Sequence, residues 1–175
     1  MNNEIADEIM EMVSIHHPQG LFGHQVLPQL KHFGSDLLPG VIACLDDSRP
    51  EVRLVAVEIL GELRPDSDIA LPLIFKRLAD EDRLVRVTTL RRLEDEFGPF
   101  PVEALPHLES WLDCKDDYER ILAANAILRH DPNRTELLPM IRAGLFIRHP
   151  GVWELTSKFF GLPFDAEPPF DDLMP

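Results

Sequence analysis

Apolar residues recur along this chain at three- and four-residue intervals, in short blocks separated by polar, proline-bearing breaks. Leu38, Ile42 and Leu45 share one face of a helix. After the polar stretch from Asp46 to Pro50, the positions Val52, Val55, Ala56, Ile59, Leu60 and Leu63 share one face of a second. This is the i, i+3, i+4, i+7 stripe of an amphipathic helix. The block then recurs. Leu-Pro pairs stand at Leu38-Pro39, Leu71-Pro72, Leu105-Pro106 and Leu138-Pro139, in steps of 33, 34 and 33 residues. A period of that length marks stacked helix pairs, because one pair alone cannot bury its apolar face. In the first unit Pro39 is expected in the first turn of its helix, where a missing N–H costs little, with Asp36 placed to cap that helix.

Aligned on the Leu-Pro pairs, the four units keep a common register. Leu45, Leu78, Leu112 and Leu145 follow seven residues on, and Val52, Val85, Glu119 and Val152 seven further. Then come Arg53, Arg86, Arg120 and Trp153, and next a small residue, Ala56, Thr89, Ala123 or Thr156. A small side chain there lets the two helices of a unit approach closely. The expected organisation is a single domain: residues 1–35 as an N-terminal helical pair covering one end, four units at about 36–65, 66–99, 100–132 and 133–162, and an acidic, proline-rich tail from 163 to 175.

Asp47-x4-Val52-Arg53-x2-Ala56 and Asp80-x4-Val85-Arg86 resemble the HEAT repeat, in its short bacterial form of the phycobilisome-lyase type. The likeness spans about residues 36–162. The third unit keeps Arg120 and Ala123 with Cys114 in the aspartate slot, and the fourth has Ile147 and Trp153 in place of acid and arginine. The resemblance implies an all-α protein, a right-handed α-solenoid of the armadillo-type superhelix class. It implies that the second, B, helices line a concave face. It also implies a structural role for the turn aspartate and for the arginine opening helix B. Ankyrin and tetratricopeptide repeats share the period, but their Thr-Pro-Leu-His and Trp-x2-Leu-Gly marks are absent.

Charge narrows the partners. With 17 Lys and Arg against 31 Asp and Glu, the chain carries a formal charge of −14. Phosphate neutralisation and anionic membranes both call for the opposite sign, so neither nucleic acid nor a membrane is the expected partner. The two cysteines, Cys44 and Cys114, are too few for a disulfide framework. The acidic start and the lack of a long apolar run lead to the expectation of a cytoplasmic protein.

The candidate chemistry lies on the B helices. Two residues beyond the small position stand Glu58, Arg91, Asn125 and Lys158, and four residues before these Leu54, Val87, Ile121 and Glu154. An apolar strip of Leu54, Val87 and Ile121 beside that polar row reads as a groove for another protein or peptide, or as packing against the neighbouring unit. Arg91-Arg92, with Arg83 and Arg86, makes the second unit the most basic. Arg53, Arg86 and Arg120 are expected to form a structural ladder, each paired with an acid of its own turn: Asp46 or Asp47, Asp80 or Asp82, Asp113 or Asp117. His16, His17, His24 and His32 cluster near the N-terminus without the His-x3-His spacing of a helical metal pair, so neither metal nor cofactor is expected. Trp111, Trp153 and the tail's Phe164 and Phe170 are candidate anchors. No nucleophile triad, Gly-rich phosphate loop or Cys-x2-Cys pair occurs, so no catalytic residue is assigned. The leading expectation is a non-catalytic scaffold or adaptor binding through the concave face. Two alternatives follow from the resemblance: a bilin lyase-like accessory subunit, which would need Arg and His on that face, and a DNA-binding HEAT-like protein, which the charge opposes.

Overall fold

A computed structural model describes residues 2–15, 23–63, 67–96, 102–146, 156, 158, 159 and 161. Ile147, Trp153, His16, His17, Phe164, Phe170 and the 163–175 tail lie outside the described residues. All the described secondary structure is helical. The chain divides into two compact units, Met1–Phe100 and Pro101–Pro175.

In the first unit, α1 (Asn2–Ile15) and α2 (Gly23–Leu30) precede two helix pairs, α3 (Leu37–Cys44) with α4 (Pro50–Leu63) and α5 (Ser67–Arg77) with α6 (Arg83–Glu96). Helices of like rank stack: α1 lies along α3, while α2 and α6 flank α4. The N-terminal pair thus takes the place a preceding repeat would occupy. In the second unit, α7 (Leu105–Trp111) packs on α8 (Asp117–His130), and α9 (Leu138–Ala143) packs on α8. The B helices α4, α6 and α8 are each 14 residues long. They begin at Pro50, Arg83 and Asp117, in the same 33- and 34-residue steps as the Leu-Pro pairs.

The core follows the apolar stripes. Ile9, Val26, Leu30, Val41, Val55, Ile59, Leu60, Ile74, Leu78, Leu90 and Leu93 are closed off in the first unit, and Leu108, Ala123, Ile127 and Ile141 in the second. The small-residue position is fully buried at Ala56, Thr89, Ala123 and Thr156. At Thr89 the hydroxyl donates to the Val85 carbonyl at 2.6 Å, which removes the cost of hiding it. Helix α1 comes closest at Gly40. A Cβ there would stand 2.1 Å from Ile5 Cδ1, so the absence of a side chain permits the contact.

One local expectation is corrected. Asp36 makes no side-chain capping bond. A 3-10 turn over Lys31–Asp36 runs directly into α3, and the Leu37 N–H already donates to the Gly34 carbonyl. Gly34 provides the kink at φ 55°, in the left-handed region that favours glycine. Pro106 and Pro139 do sit at the starts of α7 and α9, and Pro39 in the first turn of α3. Pro72, however, lies inside α5, where it removes an intrahelical donor.

Candidate functional site

The A–B turns are built by a repeated set of bonds. Asp47 Oδ1 accepts the Arg49 N–H at 2.9 Å, and Asp80 Oδ1 accepts the Asp82 N–H at 2.9 Å. The arginine that opens each B helix folds back over its own turn and donates to carbonyls there. Arg53 reaches Asp47 O and Ser48 O at 2.9 and 3.1 Å, Arg86 reaches Asp80 O and Glu81 O at 2.8 and 2.9 Å, and Arg120 reaches Cys114 O at 2.8 Å. These carbonyls lie in the turn beyond the end of helix A, where the helical ladder supplies them no donor. Where Cys114 replaces the aspartate, its thiol donates to the Asp116 carbonyl at 3.3 Å, and Asp116, in the register of Asp82, caps α8 by accepting the Glu119 N–H at 3.0 Å.

The expected pairing of each arginine with an acid of its own turn needs correction at Arg53. Its main partner is the aspartate of the following turn. Arg53 Nε and Nη2 grip Asp80 Oδ2 and Oδ1 at 2.9 and 2.7 Å, with the side chains 5% and 2% exposed. Arg77 joins from α5, reaching Asp80 at 3.3 Å, the Leu45 carbonyl at 2.8 Å and Asp46 at 3.1 Å. Burial pushes the Asp80 carboxyl up. The Arg53 bonds, the Asp82 N–H and the charges of Arg53 and Arg77 outweigh burial and hold it below the usual range. Asp80 is therefore a charged hub tying the first helix pair to the second, while Arg120 does keep an acid of its own turn, Asp117.

The apolar strip is also corrected. Leu54, Val87 and Ile121 are 7%, 8% and 2% exposed, so they pack inside rather than line an open groove. For Leu54 the reason lies in helix α4, which is buried continuously from Val52 to Gly61 because α1, α2, α3 and α6 surround it. A single amphipathic stripe accounts for only one of those contacts. Glu58 and Asn125 are buried with the strip, whereas Arg91 on α6 and Lys158 are exposed.

Glu58 is buried because it is paired. Arg92 of α6 clasps it through Nε at 3.1 Å and through a closer Nη2 contact, and Arg92 Nη1 lies 3.6 Å from Glu62. The stem of Arg92 rests on Gly61, where an added Cβ would stand 2.9 Å from Arg92 Cδ. Arg92 is thus a packed cross-tie between B helices, and Arg91, one residue earlier, turns outward. Asn125 differs: its Oδ1 is buried without a hydrogen-bond partner. Trp111 is buried, Cys44 is closed off and Cys114 half-buried. Burial, then the Asp47 charge, pushes the Cys44 thiol up to about 11.

Several ties escaped sequence reasoning. Arg49 bonds Asp47 and also Asp7 of α1 at 3.0 Å, and Arg134 joins Glu109 of α7. Neither Arg49 nor Arg134 occupies a register position that recurs as arginine in the other units, so periodicity carried no signal for them. Among the described residues no three His, Cys, Asp or Glu converge as metal ligands, and no helix is long and apolar enough to cross a membrane.

No curated protein and no solved structure matches the chain. The family model for HEAT repeats does, over residues 38–129, just over half of the sequence. That span opens on the first Leu-Pro pair and takes in helices α3 to α8, with their recurring turn arginines and buried small residues. By the register, the turn chemistry and this match together, the chain belongs to the HEAT-repeat family.

Proposed function

We propose that this chain is a protein-binding scaffold or adaptor that meets its partner on the B-helix face. HEAT repeats commonly serve as protein-interaction scaffolds. The observation that carries the reading is Arg91, exposed on a B helix whose neighbouring positions are packed away. Beneath it, the Glu58–Arg92–Glu62 cross-tie keeps this stretch of α6 rigid against α4, so Arg91 is presented from a firm base. In the second unit, taken by itself, Lys158 is the exposed residue at the equivalent register position.

A protein of charge −14 that exposes Arg91 suits a protein surface that sets a carboxylate opposite Arg91 and basic or apolar groups around it. The test is charge reversal. The Arg91→Glu chain, checked for unchanged fold by circular dichroism, is used beside wild type to recover proteins from native lysate. The expected result is loss of one or more specific partners. An identical set of partners at identical yield contradicts the proposed face.

A further inference from the structure

Buried polar side chains on the B helices and their turns are met from within the chain. Arg53 and Asp80 hold each other, Arg92 clasps Glu58, and the Thr89 hydroxyl donates to the Val85 carbonyl. Asn125 of α8 departs from this. It is 7% exposed, and its Oδ1 is buried with no hydrogen-bond partner. A carbonyl hidden without a donor destabilises the fold that hides it. The rest of the buried run from Ile121 to Leu128 is apolar. An apolar side chain at position 125 would suit the chain on its own better than asparagine does. The repeat register shows what the position lacks. Asn125 stands where Glu58 stands in the first repeat, and Glu58 is completed by Arg92 of the following B helix. The Arg92 register falls on Phe159 in the fourth repeat, and phenylalanine carries no donor.

We infer that Asn125 is a recognition residue whose carbonyl is completed by a Lys or Arg side chain of a protein partner, as Arg92 completes Glu58. The formal charge of −14 draws basic groups toward the chain, and a charged donor makes the stronger hydrogen bond. Half a turn about the last torsion of the side chain exchanges Oδ1 with Nδ2, so the carbonyl can swing to meet an arriving donor. The inference rests on the scaffold reading but not on Arg91, which belongs to the other compact unit. It names a second point of recognition and gives it a chemistry opposite to that of Arg91: an acceptor for a basic group rather than a donor for a carboxylate.

Stability and binding are measured together on the full chain. Trp111 and Trp153 both fall in the second unit, so tryptophan fluorescence in urea reports its unfolding. Asn125→Leu keeps the net charge and the branching of the side chain. It is expected to raise the urea midpoint by about 0.5 M, because the orphaned carbonyl is gone. If neither Asn125→Leu nor the smaller Asn125→Val raises the midpoint, the carbonyl is supported within the chain and the inference is overturned. The stabilised variant then serves as bait in native lysate beside wild type. At least one protein is expected at about fivefold lower yield, the loss of one hydrogen bond to a charged donor. Asn125→Asp, checked for unchanged fold by circular dichroism, is expected to recover that protein at wild-type yield or better, since a carboxylate there matches Glu58. Equal recovery by the apolar variant, or loss from Asn125→Asp as well, overturns the inference. A protein lost from the apolar variant and kept by Arg91→Glu contradicts the Arg91 face and supports Asn125; the reverse overturns Asn125 alone.

Discussion

Removing the Asp80 carboxylate leaves Arg53, 5% exposed, with only the exposed Glu81 carboxylate opposite it, and Arg77 short of a partner. Breaking a buried pair from one side costs about 3–5 kcal/mol. Asp80→Ala is therefore expected to lower unfolding stability by about 3 kcal/mol in urea titration. Removing the exposed Glu81 carboxylate, which also reaches Arg53, is expected to change stability by well under half of that. Equal effects at the two sites would contradict the hub. The position of Asp80 in the repeat was legible from its register, but its partner was not. A recurring Asp and a recurring Arg reveal that pairing exists; only the stacking direction decides whether Arg53 reaches its own turn or the next.

At the scale of the helix, Gly40 is the informative position. An alanine there gains helix propensity of up to about 1 kcal/mol but must displace the buried Ile5 side chain, and overpacking costs about 1–3 kcal/mol. Gly40→Ala is expected to be destabilising by about 1 kcal/mol, with Gly40→Ala/Ile5→Val recovering part of the loss in a double-mutant cycle. A stabilised single mutant would mean that α1 does not pack as described. The element pattern was readable from the sequence because the Leu-Pro steps carry through to the starts of α4, α6 and α8. Burial on the flanks was not. Periodicity reports the face that a helix turns toward its own partner, whereas Leu54 is covered by the other helices that surround α4. Pro72 shows the same limit, since its unit tolerates inside α5 what the other three place in the first turn.

For the whole molecule, the shifted carboxyls set the acid response. Asp47 is held below its ordinary value of 3.8, first by the Arg49 side-chain bond, and Asp80 by the balance already described. A carboxyl depressed in the folded state contributes stability that is complete above its unfolded value and lost as pH falls through its folded one. Stability is thus expected to be level with respect to these two groups above about pH 5 and to fall progressively below about pH 4. The fall should be shallower in Asp80→Asn, measured by urea midpoints across pH. Cys44 reports opening of the first unit. Buried, with its thiol pushed up to about 11, it is expected to react with a thiol reagent near pH 8 only at the rate at which that unit opens, while the half-buried Cys114 reacts sooner. Fast labelling of both in the folded protein would contradict the packing of α3.

The central claim is that the B-helix face meets a partner at Arg91, and site-specific photo-crosslinking tests it most directly. A photoreactive residue is placed at position 91 and, in a second chain, at Lys76, which is exposed on the A helix of the same unit. Both chains are irradiated in native lysate, and adducts are identified by mass spectrometry. The account predicts a discrete protein adduct from position 91 that is absent or much weaker from position 76. Adducts of equal identity and yield from both positions, or a discrete adduct from position 76 alone, would contradict it.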